Sequence, residues 1–152
     1  MKTDYADLAN QLVVRRTYSA SRERVFRVWT DPKQIVQWMS PTEGISTESA
    51  EIDLRLGGRY RLGYRTPKGL AVVRGEFLTV MIPEKLVYTW TWDEPNEHAG
   101  METQVTVEFI DLGAGTELVL THERFPNQKM RDSHEHGWTG ILQNLVAFVG
   151  RP

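Results

Sequence analysis

Between Gly44 and Arg124 the apolar residues recur at every second position, and after Lys129 they recur at every third or fourth. This change of period limits the folds open to the chain. Period two puts alternate side chains on opposite sides of a strand, whereas spacings of three and four put them on one side of a helix. The strand candidates are Ile45–Leu54, Arg59–Arg65, Leu70–Met81, Lys85–Trp92, Glu102–Asp111 and Thr116–Arg124. Between them stand Gly57-Gly58, Pro67-Lys68-Gly69, Pro83-Glu84, the loop from Pro95 to Gly100 and Gly113-Ala114-Gly115. All are turn-forming, and connections this short join neighbouring strands antiparallel, as a meander.

Each strand has one greasier side, such as Tyr60, Leu62 and Tyr64, or Leu86, Tyr88, Trp90 and Trp92. Further on, Val105, Val107 and Phe109 share a side, as do Leu118, Leu120 and His122. A sheet with one apolar side needs a cover. The segment Lys129–Val149 supplies it, with Met130, Trp138, Ile141, Leu142, Leu145, Phe148 and Val149 at helical spacing. A helix of that span is about 30 Å long, enough to cross the sheet. Gly137 and Gly140 lie inside it, each costing about 0.5–1 kcal/mol against Ala. A close approach of helix to sheet, or room for a ligand, is the expected compensation.

Ahead of the meander, Leu12–Tyr18 is rich in Val and Thr and reads as a strand. Ser21 then caps a helix over Arg22–Trp29, whose apolar side is Val25, Phe26, Val28 and Trp29. Asp31-Pro32 starts a second helix at once, with Gln34 three residues after the cap and Ile35 and Trp38 as its apolar side.

At 152 residues the sequence suits one domain, residues 1–152 with a core over about 12–149. It has no cysteine, which excludes disulfides, thiolate metal sites and thiol nucleophiles. The net charge of −2, with both signs interspersed, argues against nucleic acid as a partner. No apolar run approaches the ~20 residues of a membrane helix. Met1–Asn10 carries Lys2, Asp4 and Asp7 and has no apolar leader region, so a cytoplasmic location is expected.

Several stretches carry a family resemblance. They are Asp31-Pro32 with Gln37-Trp38, Asp53-Leu54-Arg55-Leu56-Gly57-Gly58-Arg59-Tyr60, and Pro83-Glu84-Lys85-Leu86-Val87-Tyr88-Thr89-Trp90. Leu120-Thr121-His122-Glu123-Arg124-Phe125 followed by Gly137-Trp138 and Leu142 completes the set. In this order, and across about residues 12–149, they resemble the START-like or SRPBCC superfamily. The subgroup is the one similar to the C-terminal domain of the heat-shock-protein-ninety ATPase activator. The eukaryotic activator's separate N-terminal domain has no counterpart in these residues. The resemblance implies an α+β helix-grip fold, a curved antiparallel sheet around a long C-terminal helix. It also implies an apolar or amphipathic small molecule as ligand and a link to stress response. Contact with a chaperone or with a second copy of the chain is a further partner expected on this basis.

Each candidate residue has a plainer reading beside the functional one. Trp38, Trp90, Trp92 and Trp138 come from four elements that the fold brings together. Any one of them suits core packing, but a domain of this size rarely needs so many large rings to fill a solid core, so at least two are expected at a cavity, with Trp90 and Trp138 foremost. Tyr60 and Tyr64 share the inward side of their strand and join the candidate ligand-binding set. His122 ends the apolar side of the last strand. It is either a hydrogen-bonded histidine at the edge of the core or a polar anchor at the cavity rim. His134 and His136, two apart on a helix, point about 200° apart and cannot chelate one ion together, and no HExxH motif occurs. No metal and no cofactor are expected.

Arg59, Arg61 and Arg65 face outward by parity, on a solvated convex side, unless the register slips by one. Gly57-Gly58 lacks the Lys-Ser/Thr sequel of a phosphate loop and is read as a turn. His122 and Glu123, adjacent on a strand, point to opposite sides and make a poor acid–base pair. The leading expectation is a binding protein that holds an apolar ligand between sheet and helix. The rivals are a cyclase or hydro-lyase using His122 or Tyr64 in the same cavity, and an interaction module working through the outer sheet face.

Overall fold

The structure, a computed structural model, describes residues 10–41 and 44–150. Residues 1–9, on which the expectation of no apolar leader falls, lie outside them. The elements follow the order β1 (Leu12–Tyr18), α1 (Arg22–Thr30), α2 (Pro32–Trp38), β2 (Ser46–Ile52), β3 (Arg59–Thr66), β4 (Gly69–Met81), β5 (Lys85–Trp92), β6 (Thr103–Asp111), β7 (Thr116–Glu123) and α3 (Gln128–Val149). The strands form one antiparallel sheet in the order β1-β7-β6-β5-β4-β3-β2. The last six are the meander expected from the turn residues, and β1 adds to its end by pairing with β7, Leu12 opposite His122.

Local chemistry sets the boundaries. The Ser21 hydroxyl accepts from the Arg24 amide and caps α1. Asp31 closes α1 and caps α2 through the Lys33 amide, with Pro32 at the first helical position. Strand β2 ends at Ile52, two residues earlier than its alternation suggests. There Arg55 N–H turns back onto the Asp53 carbonyl and Gly58 N–H onto that of Arg55. Gly57 inside this turn has φ +78°, which only glycine adopts without strain. Helix α3 starts one residue early, at Gln128, because the Asn127 side chain accepts from the Met130 amide.

Inward parity holds along the sheet: Tyr60, Leu62 and Tyr64 are buried, and Arg59, Arg61 and Arg65 are exposed. The inner face packs against α3 through Met130, His134, Trp138, Ile141, Leu142, Leu145 and Val149. Among the ties that hold the helix in place, two come from its second half. The Tyr18 hydroxyl donates to the Leu142 carbonyl at 2.9 Å, joining β1 to α3. The Asn144 amide donates to the Ser40 carbonyl at 2.7 Å, joining the residues after α2 to the same helix. The glycines of α3 serve this second contact. A Cβ on Gly140 would run into the Pro41 carbonyl oxygen, so of the two expected compensations the close approach is made, but to a loop and not to the sheet. Gly137 faces the Pro41 ring at ordinary contact distance.

Candidate functional site

A cavity of about 290 Å³ lies between the first half of α3 and strands β3, β4 and β5. Its walls are largely aromatic. Trp90 and Trp92 come from β5, Tyr64 from β3, and Trp138 and His134 from α3. Ala71 and Ile45 also line it. Glu97, Ser133 and His136 are exposed and form its rim. Residues 93–102 bring Glu97 to this rim and His98 to the wall beneath it. The loop is fastened by Asp93 to Arg74 at 2.7 Å and by Glu97 to Lys129, in the first turn of α3, at 3.3 Å.

The five tryptophans of the chain form one continuous row. From the cavity inward, ring centroids are 5.7 Å apart for Trp92–Trp90, 5.1 Å for Trp90–Trp138, 6.2 Å for Trp138–Trp29 and 5.2 Å for Trp29–Trp38. Of the seven residues singled out from the sequence, Tyr64, Trp90, Trp92 and Trp138 line the cavity. The other three do not. Trp38 is at the buried end of the row and donates to the Val28 carbonyl at 3.1 Å, tying α2 to α1. Tyr60 borders a separate void of about 30 Å³ on the other side of Trp90 and gives its hydroxyl proton to the Thr89 carbonyl.

His122 is fully buried, and both its ring nitrogens are engaged within the protein. Trp138 Nε1–H donates to Nδ1 at 2.9 Å, which fixes the ring proton on Nε2. Nε2–H then donates to Thr103 Oγ1 at 2.7 Å, and Thr103 passes its own proton to the Trp90 carbonyl at 3.1 Å. The chain of donors leaves no group of His122 for a ligand. Of the two readings of His122, the geometry matches the hydrogen-bonded histidine and not the rim anchor: it is a support behind the wall, which fixes the edge of one cavity indole and the backbone of another. Burial holds its pKa well below the ordinary histidine value, and neighbouring His134 adds to the effect.

His134, which the sequence raises only as a metal-ligand candidate, sits midway between Met130 and Trp138 on the buried face of α3. That spacing of four on each side is a legible sign of an inward side chain. Trp92 Nε1–H donates to its Nε2 at 3.0 Å, and its Nδ1–H donates to the Met130 carbonyl at 2.8 Å. Desolvation lowers its pKa to about 4. The bond to Met130 opposes that shift and the nearby His98 ring reinforces it. The imidazole is thus neutral near pH 7 and its proton is spent. Although three histidine rings stand close, with His134 5.1 Å from His122 and 5.8 Å from His98, no metal-holding group of three ligands occurs among the described residues.

Polar atoms left over are few. Tyr64 Oη, Trp90 Nε1 and His98 Nε2 are buried on cavity-lining side chains and have no hydrogen-bond partner. His98 Nε2 comes within 3.4 Å of Glu97 Oε1 without forming a hydrogen bond. Burial raises the Tyr64 pKa above the usual tyrosine range, with Tyr88 adding to the shift, so its hydroxyl keeps its proton. A buried donor without a partner costs about 1–3 kcal/mol.

A curled seven-stranded antiparallel sheet closed by one long helix, with two short helices after the first strand, defines the α+β helix-grip class. Within that class the chain belongs to the family described as Activator of Hsp90 ATPase homolog 1-like protein (AHSA1), whose model matches residues 19–150. No curated protein matches it. Solved structures agree on the fold. The chain is similar to protein CV1439 from Chromobacterium violaceum (26% identity, TM-score 0.79, covering 94% of this chain and 99% of that one). It is also similar to the AHSA1 protein SPO3351 from Silicibacter pomeroyi (26%, 0.80, 92% and 97%). A protein from Arthrobacter aurescens shares the fold at 21% identity, with a TM-score of 0.80 over 99% of this chain and 91% of that one.

Proposed function

We propose that this protein is a small-molecule-binding protein that holds an apolar or amphipathic ligand between α3 and strands β3–β5. The observation that carries this reading is the cavity itself, about 290 Å³ walled by Trp90, Trp92 and Trp138. That volume is at the small end of ligand pockets, which run from about 300 to 1,000 Å³, and it suits a compound of about two fused rings. Membership in the AHSA1 family supports a ligand-binding or interaction role. In the acid–base alternative His122 has both ring nitrogens engaged within the protein, which leaves Tyr64, with its proton retained, as the candidate acid.

An interaction surface is the second reading. Leu78, Met81, Ile82, Ile110 and Leu112 are exposed, most of them where β4 turns into β5 and where β6 ends. No described helix is long and apolar enough to cross a membrane.

The test is a titration with a neutral apolar fluorophore, compared between the wild type and Ala71→Phe. Ala71 lines the cavity and is half-buried, so the added ring fills the space without entering the core. Binding that is lost in Ala71→Phe at unchanged melting temperature supports the reading. Equal binding by both proteins places the probe elsewhere and removes that support.

A further inference from the structure

The turns at one end of the sheet carry most of the uncovered apolar side chains. Six of the ten large apolar residues exposed among the described residues gather there: Leu56, Leu78, Met81, Ile82, Ile110 and Leu112. Backbone bonds bring them together. Gly57 N–H donates to the Phe77 carbonyl and Phe77 N–H to that of Gly58, which sets the β2–β3 turn, with Leu56, beside Leu78. Leu78 stands at the irregularity between Phe77 and Thr79. Farther along, Met81 is opposite Lys85 and Lys85 is opposite Glu108, so the three share the outer side of the sheet. Phe109 N–H donates to the Glu84 carbonyl, which carries the register past that pair and sets residues 82–84 beside residues 109–111. Leu112 opens the next turn, its amide bound to the Gly115 carbonyl. Helix α1 does not cover this ridge. Phe26 meets Phe109 on the inner side, whereas the alternation that buries Phe109 turns Ile110 outward. Single exposed apolar residues are ordinary, but a contiguous set of them marks a place where something docks.

Charge along the ridge is uneven, and the imbalance narrows the class of partner. At the β2–β3 turn Asp53 pairs with Arg55 at 2.8 Å, and Arg59 stands opposite Glu76. Farther along, Lys85 stands opposite Glu108, and Arg15 reaches Glu117 at 3.9 Å. Glu84 and Asp111 are left over. Both are exposed, neither has an ion-pair partner among the described residues, and Asp111 only accepts from the Gly113 amide of its own turn. They flank Ile82, Ile110 and Leu112, so the negative excess falls on the most apolar part of the ridge. A second copy of the chain docking here would set acid against acid, and an anionic lipid surface would be repelled in the same way. A cationic partner with an apolar side meets neither objection.

Resting on the interaction surface given above as the second reading, we infer that this ridge docks a basic amphipathic segment of another protein, whose apolar side covers Ile82, Ile110 and Leu112 and whose lysines or arginines meet Glu84 and Asp111.

Two fluorescent peptides of one design provide the test, each about 14 residues long, roughly four helical turns. Both carry leucines along one side, with lysines along the other in the first peptide and glutamates in the second. They are titrated against the full chain by anisotropy at about 0.15 M salt. The Leu/Lys peptide is expected to bind at least about tenfold more tightly than the Leu/Glu peptide. Its affinity should fall about tenfold or more in Ile82→Ser/Leu112→Ser, and severalfold in Glu84→Gln/Asp111→Asn. These side chains are exposed, and an Asn oxygen can still accept from Gly113, so both variants should keep the wild-type melting temperature. Ala71→Phe, which fills the cavity, should leave peptide binding unchanged. A Leu/Glu peptide that binds as well as the Leu/Lys peptide overturns the basic partner, as does an affinity unchanged in Glu84→Gln/Asp111→Asn. In those cases the ridge is still an interaction surface. A wild-type dimer in sedimentation that Ile82→Ser/Leu112→Ser dissolves gives the ridge to a second copy and overturns the inference. So does adsorption to phosphatidylcholine vesicles that the same variant abolishes, which gives it to lipid. Binding lost in Ala71→Phe moves the peptide to the cavity, with the same consequence. If neither peptide binds, or both bind Ile82→Ser/Leu112→Ser as they bind the wild type, the interaction reading falls and the inference falls with it.

Discussion

Trp138 Nε1 donates to His122 Nδ1 at 2.9 Å across the buried boundary between the long helix and the last strand. The bond is the first of three in a line that ends on the Trp90 carbonyl, and it accounts for a histidine with no exposed surface. Replacing His122 by Leu leaves the Trp138 N–H without an acceptor and removes the donor to Thr103. The expected cost is about 1–3 kcal/mol per orphaned group, read as a lower urea midpoint at unchanged m-value. Affinity for a cavity probe should change less than stability does. A variant of wild-type stability with sharply weakened binding would return His122 to the ligand-contacting role.

Stability should depend on pH through His134. Its pKa is about 4 in the folded chain against 6.5 for a free histidine, so between those values the unfolded chain binds more protons. Stability then rises with pH across that window. The contribution is fully present above pH 6.5 and is lost as pH falls toward 4. At about 1.4 kcal/mol per pH unit, His134 alone accounts for roughly 3 kcal/mol. His122 shifts in the same direction and steepens the slope. Denaturation curves between pH 4 and 7 should show the decline, and His134→Gln should flatten it. Protonation also takes away the acceptor of Trp92 Nε1–H, so tryptophan emission should change over the acid end of the range.

Gly140→Ala should reverse the usual sign of a helix substitution. In a free helix the change stabilises by about 1 kcal/mol. Here the new methyl group meets the Pro41 carbonyl oxygen, a backbone atom held by the chain on either side. The expected outcome is a loss of about 1–3 kcal/mol from overpacking, seen as a lower melting temperature. Gly137→Ala, facing only the Pro41 ring at 3.5 Å, should be close to neutral or mildly stabilising.

Leu145 is fully buried under the sheet. Leu145→Ala should cost about 2–5 kcal/mol, the range for a buried leucine, and Leu145→Asp more, because it buries an unpaired charge. Chemical denaturation of the Ala variant gives the number. A loss near zero would move the helix off the sheet.

Periodicity made the strands, the covering helix and the outward arginines legible, because burial on one side writes itself into spacing. The ends of elements were harder. The turn opening at Asp53 and the cap at Asn127 depend on side-chain bonds to the backbone that a hydropathy pattern does not carry. The same limit separated the two kinds of cavity tryptophan. Spacing brought Trp90 and Trp138 together but could not say that one indole proton would be taken by His122 and the other left free. His98 was invisible for a further reason. It stands in a loop with no period, and it is brought to the cavity by the Asn96 side chain accepting its amide proton, by backbone bonds such as Gly100 N–H to the Trp92 carbonyl, and by the straps at Asp93 and Glu97.

The pairing of β1 with β7 has a consequence for synthesis. Leu12, Val14 and Tyr18 are inward-facing residues of β1, yet among the described residues their only neighbouring strand is β7, Thr116–Glu123, the last strand made. At about 5–20 residues per second on the ribosome, roughly 5–20 s pass between the two. Through that interval β2 to β6 can pair in turn as each hairpin emerges, while the opening strand waits with its apolar side uncovered. Closure of the sheet must follow translation of β7, and the Tyr18–Leu142 bond must wait longer still, for the helix. The nascent chain is therefore most open to wrong partners at its beginning and secure only near its end.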